Sequence, residues 1–290
     1  MPGKELEVSG DCSKKCAPRV GVVVHFFYFE QAEKIIALLK QIPFEFDLYA
    51  TAPEEGKGEA IRSLLAGSFR GKKIAFREVR NRGFDIAPFV CDFKDVYHGY
   101  DLILKLHTKK SAHTLWLRGW GSYLLANAAG SPEIVNSIVK MFDDDSNLGL
   151  VYPEIVPPLR IELKRDAWQE NWEICLDLSS RLGLSVTREM SLDFPAGSMF
   201  WFRPKALDPL FKLGLVPGDF PEGKRIRRNG TLAHAVERLL VLIAAKEGFG
   251  SRTVCFEPFN TVRDMSVTGR LLNRAYGEWK HLMDLAGINL

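Results

Sequence analysis

The chain has 290 residues, of which 46% are hydrophobic, and its formal net charge is only +3. A chain of this size and composition can bury a full hydrophobic core. Its charge is too small for the strongly basic face that nucleic-acid binding requires, so we expect no nucleic-acid partner. No apolar run reaches the roughly 18 residues of a transmembrane helix. The five scattered cysteines are typical of a reduced, cytoplasmic protein.

The first half of the chain alternates strand and helix patterns. Residues 1–18 are polar and aperiodic, which predicts a flexible leader. The run RVGVVVHFFY at 19–28 is nearly all apolar, as in strands buried inside a parallel sheet. Further along, the periodicity predicts a helix from residue 32, a strand at 44–51, a helix at 59–69 and a strand at 73–79. This order predicts an α/β fold with a doubly wound, mostly parallel sheet.

The second half continues the pattern without an internal repeat. It predicts strands at 101–106, 148–152, 194–203 and 252–259, and helices at 116–129, 132–143, 168–182 and 231–246. We therefore expect a single domain over residues 19–290.

The most informative segment is YDLILKLHTKKS at 100–111, where an apolar strand ends in a cationic tip. Side chains alternate along a strand, so Lys105, His107 and Lys109 share one face if the chain stays extended. Cations at the end of a buried strand are costly unless they meet an anion. Because α/β sheets bind ligands at the carboxyl ends of their strands, this segment favours a phosphate-binding site over a solvated basic loop.

The turn NRGFD at 81–85 permits two interpretations. Gly83 allows a tight turn, and Asp85 could cap the following helix by accepting backbone N–H bonds. Alternatively, Asp85 or Asn81 accepts hydrogen bonds from a base or ribose, with Arg82 near a phosphate. One turn could serve both purposes.

Two later segments also contain residues suited to a ligand. In FPAGSMFWFR at 194–203, Gly197 and Ser198 allow close approach to the backbone, and Trp201 offers a flat face to a sugar unless it packs in the core. On the helix at 231–246, His234, Glu237 and Arg238 lie opposite the apolar stripe. That pattern favours a solvated helix face over the wall of a cleft.

Five motifs in order resemble the rhamnan synthesis protein F family. They are NRGFDIAPF (81–89), YDLILKLHTKKS (100–111), FPAGSMFWFRP (194–204), GDFPE (218–222) and GTLAHAVER (230–238). The resemblance implies a glycosyltransferase that builds rhamnose-containing surface polysaccharides. By analogy it also implies a GT-A-like fold, with a nucleotide-sugar half at about 19–115 and an acceptor half at about 116–290.

The same analogy assigns roles to the motif residues. In GT-A enzymes the equivalent of the strand at 101–106 usually ends in Asp-x-Asp and holds a divalent metal, whereas here it reads His-Thr-Lys. This reversal of charge implies a transferase without metal or cofactor, using dTDP-rhamnose as its substrate. The implied contacts are Lys105, His107 and Lys109 to the donor diphosphate, Asn81, Arg82 and Asp85 to the nucleotide, and Gly197, Ser198, Trp201 and Glu237 to the acceptor.

An inverting transfer also needs a base for the acceptor hydroxyl. The resemblance implies an acidic residue just before GTLAH, but this chain has Asn229, and an amide cannot accept that proton. We therefore favour Glu222 and His234 as the catalytic residues, with Asp193 and Glu237 as alternatives.

The expected acceptor is a rhamnan or O-antigen-type glycan, most simply lipid-linked, reached by peripheral contact at the inner face of the cytoplasmic membrane. Two other functions stay open. Asn229 favours a catalytically silent glycan- or nucleotide-binding subunit of a polysaccharide assembly complex. The cationic tip also suits a phosphate-handling enzyme such as a nucleotidase, although the chain has no Gly-rich phosphate loop.

Overall fold

The computed structural model describes residues 18–54, 57–69, 73–110, 117, 119–222 and 229–256. The predicted leader, apart from its last residue, and the segment 257–290 lie outside the described residues. Within the described ranges, seven strands form one sheet: β1 (Val20–His25), β2 (Phe46–Pro53), β3 (Ile74–Val79), β4 (Leu102–His107), β5 (Leu148–Pro153), β6 (Phe200–Phe202) and β7 (Gly250–Val254).

Helices cover both faces of this sheet. They are α1 (Ala32–Leu39), α2 (Gly58–Ser68), α3 (Ile86–Cys91), α4 (Trp120–Ala129), α5 (Pro132–Asp144), α6 (Pro157–Arg165), α7 (Trp172–Leu182), α8 (Asp208–Lys212) and α9 (Leu232–Lys246). Alternate residues of the buried strands contact the two helical layers, with Val22 and Leu104 facing α1, α2, α4 and α5, and Val23 and Ile103 facing α3, α7 and α9. Lys105 lies two residues after Ile103 on β4, so its side chain points to the same face of the sheet and enters the layer formed by α3 and α9.

The strand order is β3-β2-β1-β4-β6-β5-β7. All described pairings are parallel except those of β6, which runs antiparallel to both β4 and β5. The predicted doubly wound, mostly parallel α/β sheet is confirmed, and this single-domain arrangement is consistent with a GT-A-like fold.

The chain winds in two directions from β1. It passes outward through β2 and β3, then crosses back to place β4 on the other side of β1. This reversal creates a crevice beyond the carboxyl ends of β1 and β4, where open α/β sheets bind ligands. His25 and His107 end these two strands and are register partners.

Two predicted elements are wrong in extent. The strand predicted at 194–203 is reduced to β6, because Pro195 is followed by positive φ angles at Gly197 (87°) and Ser198 (50°), which turn the chain. The helix predicted from residue 168 begins at Trp172, and α6 was missed because its two leading prolines read as a break.

None of the helices in the described ranges combines the length and apolar character needed to span a membrane.

Candidate functional site

A buried ionic cluster, formed by Asp85, Lys105, His107 and Ser198, lies at the carboxyl end of β4. The Lys105 ammonium donates hydrogen bonds to Asp85 Oδ2 and, at 2.8 Å, to the Ser198 carbonyl oxygen. The Ser198 hydroxyl donates to the same carboxylate at 2.5 Å. The cluster therefore ties α3, β4 and the turn before β6 together through one carboxylate.

The turn before α3 directs Asp85 into this cluster. Gly83 and Phe84 both have φ of 56°, and a Cβ at position 83 would lie 2.5 Å from the Phe220 ring, so that position requires glycine. Asp85 occupies the N-cap position of α3, yet its side chain makes no capping hydrogen bond. Of the two interpretations of this turn, helix capping by Asp85 is therefore wrong.

Burial and neighbouring charges act in opposite directions on the pKa of Asp85. Burial alone raises the pKa of the Asp85 carboxyl, but His107, Lys105 and the hydrogen bonds from Lys105 and Ser198 hold it well below its usual range. Burial also lowers the pKa of His107 well below 6.5. Lys105 is the cation that donates a hydrogen bond directly to Asp85, so its ammonium balances this carboxylate.

Two histidines end the adjacent strands at this cluster. His107 Nδ1 lies 3.3 Å from Asp85 Oδ2 and has no hydrogen-bond partner among the described residues. His25 Nδ1 pairs with the Thr51 hydroxyl at 2.9 Å, and burial lowers the pKa of His25 to about 4. Sequence reasoning missed His25, although a histidine closing the run RVGVVVH was a signal that could have identified it.

Lys109 is the predicted diphosphate contact with the most open surroundings. Its side chain is half-buried, and its ammonium lies 4.3 Å from the centre of the Trp120 ring. Lys105 differs, because it is 1% exposed and its ammonium donates to two protein oxygens. Lys105 therefore donates mainly within the protein, and the assignments of Lys105, His107 and Lys109 to a diphosphate stay predictions.

Glu237 of α9 lies beside the turn before β6. Its Oε1 accepts a hydrogen bond from the backbone N–H of Gly197 at 2.7 Å. Burial raises the pKa of Glu237, an effect opposed by Arg238 and Lys109. Arg238 is only 4% exposed, so the prediction that this side of α9 is a solvated face is wrong. The structure thus brings two residues assigned to the acceptor, Gly197 and Glu237, into direct contact.

Trp201, the remaining aromatic residue assigned to the acceptor, lies apart from Gly197 and Glu237. It lies on β6 with no exposed surface, and its indole N–H donates to the carbonyl oxygen of Ala128 at 2.8 Å. The prediction that Trp201 presents a flat face to a sugar is wrong, because it fills the core between the sheet and α4.

The two favoured catalytic residues each have a protein partner. Glu222 forms an ion pair with Arg82 at 2.6 Å, with 56% of its side chain exposed. His234 Nδ1 pairs with the Thr231 hydroxyl at 2.7 Å, and its ring contacts Phe84 edge-on with centroids 5.4 Å apart. Arg82 also donates to the Phe220 carbonyl oxygen at 3.0 Å. The nucleotide candidates Arg82 and Asn81 thus lie in one turn, with Arg82 committed to Glu222.

Asn229 belongs to a polar network behind α9. Its Oδ1 accepts from the Asn171 amide at 2.7 Å and from the Arg238 guanidinium at 3.3 Å, and its amide donates to Gln169 Oε1. The Arg238 guanidinium also donates to Gln169 Oε1 at 3.0 Å. These contacts give Asn229 a structural role as the acceptor for a buried cation.

The sequence of this chain matches the model of a known protein family. The family model described as rhamnan synthesis protein F matches residues 4–249. The chain belongs to the rhamnan synthesis protein F family. This membership confirms the resemblance carried by the five motifs.

Two curated relatives of this family member carry no assigned activity. They are the uncharacterized protein WxcX of Xanthomonas campestris pv. campestris strain B100 and its counterpart in strain ATCC 33913, each 32% identical over 244 residues. The alignments cover 82% of this chain and 33% of each relative. The chain therefore spans about a third of the length of the curated relatives it matches.

The site contains both a positively charged and a negatively charged side chain that a ligand could contact. Lys109 supplies a cation, Glu237 supplies a carboxylate, and the charge of each shifts the pKa of the other. In the part of the chain that the structure describes, no three His, Cys, Asp or Glu side chains converge as a metal site would require. The crevice can hold an anion at the β4 end and accept a proton on the α9 side.

Proposed function

We propose that this rhamnan synthesis protein F member is a glycosyltransferase that moves a deoxyhexose, rhamnose, from a nucleotide-diphosphate sugar onto a surface polysaccharide. The observation that carries the proposal is the position of Lys109, a half-buried cation just beyond β4 at the crevice where the sheet reverses direction. An anionic diphosphate is the natural partner of a partly desolvated ammonium at that place.

Lys109 would stabilise the leaving nucleoside diphosphate as its bond to the sugar breaks. A charge-assisted hydrogen bond contributes about 1.5–3 kcal/mol, which acts where negative charge develops. The nearby carboxylate of Asp85 is already committed to Lys105 and Ser198. This commitment supports transfer without a divalent metal, because the carboxylate that could bridge a metal to the diphosphate is neutralised by the protein.

The other site residues are assigned relative to a donor diphosphate that lies beside Lys109. Asn81 and Arg82 would line the nucleotide side, while Gly197, Ser198 and Glu237 would form the acceptor side. The acceptor would be a lipid-linked glycan of rhamnan or O-antigen type. The protein would reach it by peripheral contact at the inner face of the cytoplasmic membrane.

Calorimetric titration tests the donor site. The purified protein is titrated with dTDP, UDP, GDP and dTDP-rhamnose, each with and without EDTA. We expect selective binding of the dTDP species that EDTA does not change, and a loss of at least tenfold in affinity in the K109A variant. K110A is the matched control, because Lys110 is exposed and pairs with Glu30.

The results separate the proposal from its alternatives. Binding that disappears with EDTA and returns with Mg²⁺ would overturn metal independence, and absence of binding to every nucleotide would overturn the donor site. Asn229 supports a second candidate, a catalytically silent binding subunit, because an amide stands where the family resemblance implies an acidic residue. That candidate predicts nucleotide or glycan binding without release of dTDP.

A further inference from the structure

The proposed transfer lacks an evident base, because each favoured candidate is engaged elsewhere. Glu222 is held by Arg82 in an exposed ion pair. Asn229 is an amide committed to Asn171 and Arg238. His234 shares its Nδ1 with Thr231. Glu237, in contrast, is a carboxylate close enough to Lys109 to oppose the lowering of that residue's pKa.

Glu237 has the geometry for this role. Its one hydrogen bond within the described ranges uses Oε1, which accepts from Gly197 N–H at 2.7 Å. Position 197 requires glycine, because its φ is 87° and a Cβ there would lie 2.4 Å from Leu124. The turn is held by the Ser198 N–H, which donates to the Pro195 carbonyl oxygen at 2.7 Å. Ser198, the next residue, is held by both Asp85 and Lys105. The carboxylate is thus oriented through Oε1, which leaves Oε2 for a substrate.

We infer that Glu237 is the catalytic base of the transfer, an inference that rests on the proposed function. In an inverting displacement, Oε2 of Glu237 takes the proton of the acceptor hydroxyl. The acceptor oxygen forms its bond to the anomeric carbon as the bond from that carbon to the diphosphate oxygen breaks. The electron pair of the broken bond leaves with the nucleoside diphosphate beside Lys109, and Glu237 later releases its proton to solvent.

The charges around Glu237 suit this task. The groups acting on it are Arg238 on its own helix, Lys109 after β4 and Asp85 at the start of α3. Burial raises the pKa of the carboxyl, so Glu237 binds a proton more strongly than an exposed glutamate does. The lowered pKa of Lys109 has the same origin in burial, and Glu237 opposes it. Cation and base therefore lie within electrostatic reach of each other in one crevice.

The decisive variant is E237Q. Glutamine keeps an oxygen that can accept from Gly197 N–H, but it cannot take a proton, so the turn is retained and the base is lost. We measure release of dTDP from dTDP-rhamnose with a synthetic rhamnose-terminated glycolipid as acceptor, and dTDP binding by calorimetry. We expect kcat to fall at least roughly a hundredfold, while the Kd for dTDP stays within about threefold. The matched control is E247Q, an exposed glutamate at the end of the same helix, which should keep its activity.

The rival assignments and the pH profile complete the test. If Glu237 is the base, the acidic limb of the wild-type kcat–pH profile disappears in E237Q, which a merely structural role would not cause. E237Q with more than about a tenth of wild-type kcat, or an equal loss in E222Q or H234A, would overturn the inference alone. Wild-type protein that binds dTDP-rhamnose but releases no dTDP would overturn the transferase function and the base together.

Discussion

Asp85 and Lys105 form an ion pair inside the protein, with 12% and 1% of their side chains exposed. The pair joins residues 20 positions apart, and Ser198 adds a contact to Asp85 from 113 positions away. One carboxylate thus connects three separate motifs of the family. Because buried charges are strongly destabilising when left unpaired, these motifs depend on one another for stability.

Removing the cation from this pair should expose that dependence. In K105M the Asp85 carboxylate stays buried without its ammonium, so we expect the free energy of unfolding to fall by about 3–5 kcal/mol. The double variant D85N/K105M removes both charges and should recover part of this loss. Urea denaturation measures both values. K110M, which breaks an exposed pair with Glu30, should cost less than about 1 kcal/mol. A double variant less stable than K105M would contradict the pairing.

Stability should also fall on acidification because of His25. Burial lowers its folded-state pKa from 6.5 to about 4, so the unfolded chain binds the proton more readily. The stabilisation is fully present above pH 6.5 and is lost as the pH falls towards 4, at about 1.4 kcal/mol per pH unit. Urea melts across this window should show a loss of about 3 kcal/mol from this group. H25N should have a shallower pH dependence, and an unchanged slope would exclude His25 as its source.

Replacing Phe84 with glycine or with alanine tests whether its backbone conformation is strained. Its φ of 56° lies in the left-handed region, which glycine occupies freely and residues with a Cβ do not. Both F84G and F84A lose the ring contact with His234, so they differ mainly in backbone strain. We expect F84G to be more stable than F84A by about 1 kcal/mol in urea melts. Equal stability would show that the turn relaxes when the ring is removed.

Asn229 offers a separate test of where the base lies. In N229D, the carboxylate would still accept from Asn171 and Arg238 but would lose the donation to Gln169 Oε1, so folding should be retained with a small loss of stability. We expect kcat for dTDP release to stay within about threefold of wild type, because the proton acceptor is at position 237. A tenfold or greater gain would instead assign the base to position 229.

The sequence was sufficient to predict the architecture, because the sheet-forming segments are strongly patterned. The runs at 19–28 and 101–106 are nearly continuous in apolar residues, and they became the two strands at the centre of the switch point. The segment 194–203 was harder. Its aromatic residues favour a strand, but the positive φ of Gly197 and Ser198 ends it early, and local composition does not reveal such a turn.

Site prediction failed where tertiary contacts decide a residue's role. The alternation of β4 correctly placed Lys105 and His107 on one face, but it could not show that Asp85 would meet Lys105 there. Likewise, nothing in the pattern of α9 distinguished a solvated face from one covered by residues 167–171 and 229. Trp201 was assigned to a sugar because aromatic rings serve both cores and ligands, and only its burial separates the two.

The three-residue strand β6 joins the two parallel parts of the sheet. Phe200–Phe202 pairs with β4 on one side and with β5 on the other. Among the described strands, β1–β4 and β5–β7 are therefore hydrogen-bonded into one sheet through β6. Its backbone amides should therefore be among the slowest to exchange with deuterated solvent, opening only when the whole domain unfolds. The residues immediately before β6 are attached directly to this strand, so the Gly197 N–H should keep its position relative to the sheet.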